Sequence, residues 1–71
     1  MLYIGIEREI QMFIVYGKSF PQRIGAPRKS STGAVRNFEK MHPDEPNYTV
    51  YKCDIVGEEE EIHLREKIYD S

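Results

Sequence analysis

The first sixteen residues alternate between apolar and other side chains, and this pattern restricts the fold more than any other feature of the sequence. All even positions but one carry a large apolar side chain: Leu2, Ile4, Ile6, Ile10, Met12, Ile14 and Tyr16. A period of two predicts a half-buried β-strand. A straight strand of this length would extend about 45 Å, whereas a compact domain of this size has a radius of gyration near 11 Å. We therefore expect either a bend in the strand or a homo-oligomer that pairs through this N-terminal strand.

The middle of the chain predicts a long loop followed by a helix. Glycine and proline interrupt residues 17–31, and a loop of this length in a compact domain is often functional. Ser31 or Thr32 is the expected helix cap, and the helix should end at His42, because the residue before Pro43 avoids the α region. Apolar residues recur between these limits at a spacing of three or four: Ala34, Val35, Phe38 and Met41.

The C-terminal third predicts two strands. Residues 48–56 alternate and are rich in residues that favour strands. Residues 58–69 are open to two interpretations, because four glutamates favour a helix whereas Ile62, Leu64 and Ile68 fit a period of two. We prefer a strand. The expected fold class is α+β, with one domain over residues 1–71 in which a single helix packs on one face of a small antiparallel sheet of three to four strands.

The formal net charge of −2 conceals a strong separation of charge along the chain. Residues 10–38 carry five basic and no acidic side chains, whereas residues 39–71 carry ten acidic and four basic ones. Such asymmetry can mark a surface that binds an anionic partner, and it can equally bring the two halves together within one fold or across a dimer. The sequence does not distinguish a protein partner from a nucleic acid.

One candidate site combines the basic loop with the start of the helix. A helix N-terminus attracts phosphate or carboxylate through its unpaired N–H groups and its dipole. The alternative is an ordinary helix cap surrounded by solvated cations. Phe13, Tyr16 and Phe20 lie near the loop in sequence and could stack on nucleobases. The candidate residues for binding an anionic partner are Lys18, Arg23, Arg28, Lys29, Ser30, Ser31, Thr32 and Arg36.

A second candidate surface is acidic. Glu58, Glu59, Glu60 and Glu61 follow one another at the expected hairpin turn. The simplest interpretation is a solvated tip that protects an edge strand from aggregation. The alternative function is that of an inhibitor, which would block a host defence or nucleic-acid-processing protein through this acidic hairpin or through a strand edge.

Enzymatic chemistry has little support in this sequence. No nucleophile has a recognisable base partner, and His42, Cys53 and His63 lack the short spacing of metal ligands. We predict no catalytic residue, no cofactor and no metal, and we interpret Cys53 as a small buried side chain. No apolar run is long enough to span a membrane, and the N-terminus lacks the basic region of a secretory signal, so we expect a cytoplasmic protein.

Residues 29–56 resemble short, uncharacterised reading frames of phages. The likeness rests on Lys29 to Phe38, which begins a helix rich in small residues, and on the alternating aromatic strand that follows from Tyr48. It implies an accessory role in the host cytoplasm, in which the protein binds and modulates a host or phage macromolecule. It implies no catalytic residue.

Overall fold

The structure, a computed structural model, describes residues 9–71. The elements follow in the order β1 (Glu9–Gly17), α1 (Ser31–Met41), β2 (Tyr48–Val56) and β3 (Glu61–Asp70). The expected α+β class is confirmed, with three antiparallel strands and one helix among these residues. The part of the predicted N-terminal strand that includes Leu2, Ile4 and Ile6 lies outside the described residues.

The sheet has the order β1-β2-β3, and its register decides which side chains face the helix. Val15 is opposite Val50, and both belong to the hydrophobic core beneath α1. Because side chains alternate along a strand, the neighbouring pair Ile14 and Tyr51 points to the other side of the sheet. We call that other side the open face, because α1 does not cover it, although its residues Ile14 and Cys53 are fully buried. The alternation predicted for β2 is therefore confirmed.

The core lies between α1 and the first two strands. Phe38 and Val15 are completely buried, and Ala34 and Val50 are almost so. Burial of one such large side chain contributes about 1.5–3 kcal/mol. Phe13, Val35 and Tyr48 pack against this cluster from its edges. Because α1 covers only β1 and β2, every residue of β3 remains exposed.

The loop of residues 18–30 is bound to the outer edge of β1. The main-chain N–H groups of Phe13 and Arg28 each donate to the other residue's carbonyl, at 2.7 and 2.8 Å. The Gly25 N–H donates to the Val15 carbonyl at 2.8 Å. A buried carboxylate, that of Glu45, accepts hydrogen bonds from the N–H and the hydroxyl of Ser19. These bonds fix the course of the loop, so the chain reaches the N-cap of α1 from a defined position.

The helix begins one residue earlier than predicted. Ser30 is the N-cap, and its hydroxyl accepts a hydrogen bond from the Gly33 N–H at 3.0 Å. Ser31 and Thr32 are therefore the first two helical residues, and the prediction that one of them is the cap is wrong. The predicted end is correct, because His42 is the C-cap and its N–H donates to the Phe38 carbonyl.

The last segment is a strand, as preferred from the sequence, but two irregularities change its faces. The pairing with β2 shifts register between Val50 and Tyr51 and again between Lys52 and Cys53. Each shift leaves one residue of β3 without an opposite partner, which reverses the alternation beyond it. Ile62 and Leu64 face the open side together with Ile55 and Cys53, whereas Ile68 lies on the helix side. The single apolar face implied by a period of two is therefore wrong.

Candidate functional site

Two of the predicted binding cations form ion pairs within the fold. Lys18 pairs with Asp70, and the Arg23 guanidinium lies 2.6 Å from the Asp44 carboxylate. Hydrogen bonding to these cations lowers the pKa of both aspartates. Lys18 therefore joins the loop to the end of β3, Arg23 joins it to the turn between α1 and β2, and the charge of both is largely neutralised.

Two of the remaining predicted cations lie together on one side of α1, beside a third cation that was not predicted for the site. Arg28, Arg36 and Lys40 line a shallow hollow of about 320 Å³ together with Gly33 and Asn37. Lys29 follows Arg28 in the chain. We call these four cations, Arg28, Lys29, Arg36 and Lys40, the cation surface. None of them forms an ion pair with another described residue.

The backbone beneath the cation surface is held on both sides. Arg28 is fixed to β1 by its paired main-chain bonds with Phe13. The Asn37 side chain accepts a hydrogen bond from the Ala26 N–H at 3.0 Å, which ties the loop to the middle of the helix. The positions from which the cations project are therefore set by the fold, while the long side chains remain able to adapt to a ligand.

The helix N-terminus contributes less to this site than the sequence suggested. The Ser30 hydroxyl is occupied by the Gly33 N–H, and the Ser30 carbonyl accepts from the Ala34 N–H at 2.9 Å, as an ordinary cap does. Ser31 and Thr32 lie on another side of α1, where they line a cleft next to β3. Of the eight predicted residues, Arg28 and Arg36 are thus the cations that line one hollow, and neither forms an ion pair with another residue of the range 9–71.

The acidic run lies at the opposite end of the sheet from the helix. Gly57, Glu58, Glu59 and Glu60 form the turn between β2 and β3, and Glu61 begins β3. Gly57 has a φ of 79°, which explains why glycine is favoured at the start of this turn. The core residue Val50 and the last β2 residue, Val56, are six positions apart, or about 20 Å along a strand. The turn is nearer to the loop, because Glu60 lines a hollow of about 370 Å³ together with Pro27, the residue before Arg28.

The aromatic residues named as stacking candidates lie in three different environments. Phe13 packs against the core, and Tyr16 contacts Tyr51 edge to face on the open face, with ring centroids 5.5 Å apart. Phe20 is 97% exposed. Two further rings, those of Tyr48 and Tyr69, line the cleft between α1 and β3, which Arg36 also lines. Neither tyrosine is among the binding residues predicted from the sequence.

The other candidate chemistry is limited. Cys53 is completely buried, as predicted, and burial together with the nearby Asp54 raises the pKa of its thiol. Within residues 9–71, no group of three histidine, cysteine or acidic side chains could hold a metal ion. In the same range, no helix has the length and apolar composition needed to cross a membrane. The open face exposes several large apolar side chains of β1 and β3, namely Ile10, Ile62 and Leu64.

Comparisons with known proteins add no relative. No protein-family model matches the sequence, and neither a curated protein nor a solved structure matches it. The resemblance to phage reading frames therefore stays a prediction, and functional inference rests on the geometry of the chain itself.

Proposed function

We propose that the protein is a small non-enzymatic binding module that engages an anionic macromolecule through the cation surface. The observation that supports this most directly is the hollow lined by Arg28, Arg36 and Lys40, where three positive side chains lie together and none forms an ion pair with a carboxylate of the described residues. The chain has twelve acidic side chains, and the fold pairs several of them with other cations. The absence of such a pair here is therefore a property of this surface.

The arrangement carries a cost that an anion would relieve. Arg36 and Lys40 are four residues apart on α1, and like charges at this spacing destabilise a helix by about 0.2–0.5 kcal/mol. Arg28 adds a third charge from the loop. A phosphate or carboxylate chain across the hollow would replace this repulsion with attraction, and arginine side chains bind such groups through paired hydrogen bonds.

The proposal is tested with inorganic polyphosphate, which offers negative charge without a base or a side chain. Binding is measured by titration calorimetry at about 50 and 200 mM salt. Contact with three cations predicts a log–log salt slope near −2, which corresponds to about a twentyfold loss of affinity over this range. The double substitution Arg28→Glu with Lys40→Glu should weaken binding at low salt by more than tenfold.

The matched control reverses two cations that the fold already pairs. Lys52→Glu with Lys67→Glu changes the net charge by the same amount on β2 and β3, at two residues that do not line the hollow. Exposed ion pairs contribute little to stability, so this variant should fold. It should retain most of the affinity. Equal weakening by both double variants would show that only total charge matters, and the assignment of the cation surface would then be wrong.

The phage-type accessory role, the inhibitor acting through Glu58 to Glu61, and the homo-oligomer pairing through the N-terminal strand stay predictions. The acidic turn is exposed, and Glu61 lies 3.1 Å from the His63 imidazole. These features fit a solvated tip as well as they fit a binding surface.

A further inference from the structure

The cation surface adjoins a cleft whose walls are aromatic and apolar. Because α1 does not cover β3, a space of about 420 Å³ remains between the start of the helix and the end of that strand. This volume lies within the range of about 300–1,000 Å³ typical of small-molecule sites. Its floor and walls come from Val35 on the helix, Tyr48 and Val50 on β2, and Ile68 and Tyr69 on β3. We call this space the aromatic cleft.

Two tyrosine rings shape the aromatic cleft. The centroids of Tyr48 and Tyr69 are 5.7 Å apart, and their planes are inclined by 43°. Tyr69 is 52% exposed, so a large part of its ring is accessible. The register shift in β3 produces this geometry, since it places the consecutive residues Ile68 and Tyr69 beside the same space. Ser31 and Thr32 add hydroxyl groups at the helix side of the cleft.

Arg36 connects the two features. Its side chain lines both the aromatic cleft and the hollow of the cation surface. A ligand that spans Arg36 therefore meets a stacking surface on one side and two further cations on the other. Proteins that bind single-stranded nucleic acids combine the same two features. A basic groove follows the backbone, and aromatic rings stack on the bases.

We propose that the aromatic cleft takes one nucleobase of a single-stranded nucleic acid whose phosphates lie on the cation surface; this rests on the function proposed above. A nucleotide carries a flat ring and a phosphate on one unit, so a single ligand satisfies both halves of the site. In a duplex the base faces are already stacked, and the cleft admits only a base that is free of its neighbours. Burial and, after it, the negative charge of the nearby Glu39 carboxylate raise the pKa of Tyr48. This carboxylate is outnumbered by the four cations of the cation surface.

The test uses the full chain and three fluorescent probes of equal length. They are a single-stranded oligothymidylate, a strand with the same phosphates in which abasic sites replace the bases, and a polyglutamate peptide. Alanine substitution of a stacking ring weakens nucleic-acid binding by roughly 5- to 150-fold per base. Tyr69→Ala should therefore weaken binding of the oligothymidylate by a factor in this range and leave binding of the abasic strand unchanged.

Phe20→Ala is the matched control, because Phe20 is an exposed aromatic residue outside the aromatic cleft. It should change no affinity. A second measurement needs no substitution: the ring protons of Tyr48 and Tyr69 should shift in NMR spectra when the oligothymidylate is added, and not when the abasic strand is added.

The outcomes separate the two proposals. Equal affinity for the oligothymidylate and the abasic strand, or polyglutamate binding as tight as that of the oligothymidylate, would overturn the base site. In either case, continued weakening by Arg28→Glu with Lys40→Glu would leave the cation surface in place. If that double variant bound every probe as the unmodified chain does, both proposals would fail.

Discussion

The contact between Gly17 and the Phe38 ring offers a sharp test of how α1 is held on the sheet. Gly17 is the last residue of β1, and an added Cβ would lie 3.1 Å from Phe38 Cζ and 3.2 Å from Glu45 Cγ. Carbon atoms in favourable contact are about 3.5–4.0 Å apart. Neither neighbour can withdraw easily, since Phe38 is fully buried and Glu45 is held by Ser19.

Gly17→Ala should therefore destabilise the protein. Overpacking of this kind costs about 1–3 kcal/mol, from which about 0.4–1 kcal/mol is recovered because alanine restricts the unfolded chain. The net loss is about 1–2 kcal/mol. A domain of this size loses about 4–8 °C in Tm per kcal/mol, so the expected decrease is roughly 5–15 °C.

Gly25→Ala is the control, because Gly25 also contacts Phe38 but with more room. The nearest atom to its added Cβ is Phe38 Cδ1 at 3.4 Å, an ordinary contact distance. Only the effect on the unfolded chain remains, so the Tm should stay constant or rise slightly. Both variants are measured by urea unfolding and by thermal melting. If the two substitutions changed stability equally, steric contact at Gly17 would not be what positions the helix.

Two further predictions concern the start of the helix and the loss of stability at low pH. Ser30→Ala should lower the free energy of unfolding by about 1 kcal/mol, because it removes the hydroxyl that caps α1. Ser31→Ala should change it by less than about 0.5 kcal/mol. Both variants are measured by urea unfolding, and equal losses would contradict the assignment of the cap. The pKa values of Asp44 and Asp70 are lowered by their hydrogen bonds with Arg23 and Lys18. A lowered pKa in the folded state adds stability above the unfolded value of 3.8, and this contribution disappears as the pH falls through the folded value. The free energy of unfolding should therefore decrease from about pH 5 downwards, and Asp44→Asn with Asp70→Asn should reduce that slope; an unchanged slope would contradict the ion pairs.

Much of the fold follows from local pattern. The alternation of residues 10–16 and 48–56 predicted β1 and β2, because a strand with one buried face repeats every two residues. The spacing of Ala34 and Phe38 predicted the buried side of α1, and both residues are in the core. The cap was misplaced by one residue, because Ser30, Ser31 and Thr32 all have a hydroxyl that can accept from a helical N–H. Only the geometry of the turn selects among them.

Features that depend on pairing between distant segments could not be predicted from local sequence pattern. The register shifts of β3 against β2 have no local signal, yet they move Ile68 to the helix side and bring Tyr69 beside Tyr48. Lys18 and Arg23 are paired because the fold brings Asp70 and Asp44 to them, from positions 52 and 21 residues further along the chain. In sequence, these two cations were indistinguishable from Arg28 and Arg36.

Lys40 shows why charge counted along the chain differs from charge on a surface. The sequence divides at residue 38 into a basic and an acidic part, and Lys40 falls in the acidic part. The helix, however, continues across this boundary to Met41, so Lys40 lies one turn beyond Arg36 and lines the same hollow. A helix repeats every 3.6 residues, and its faces are therefore set by spacing within the element rather than by position in a charge block. The helical spacing of four residues predicts that Arg36 and Lys40 lie on the same side of α1, so it would have added Lys40 to the candidate site.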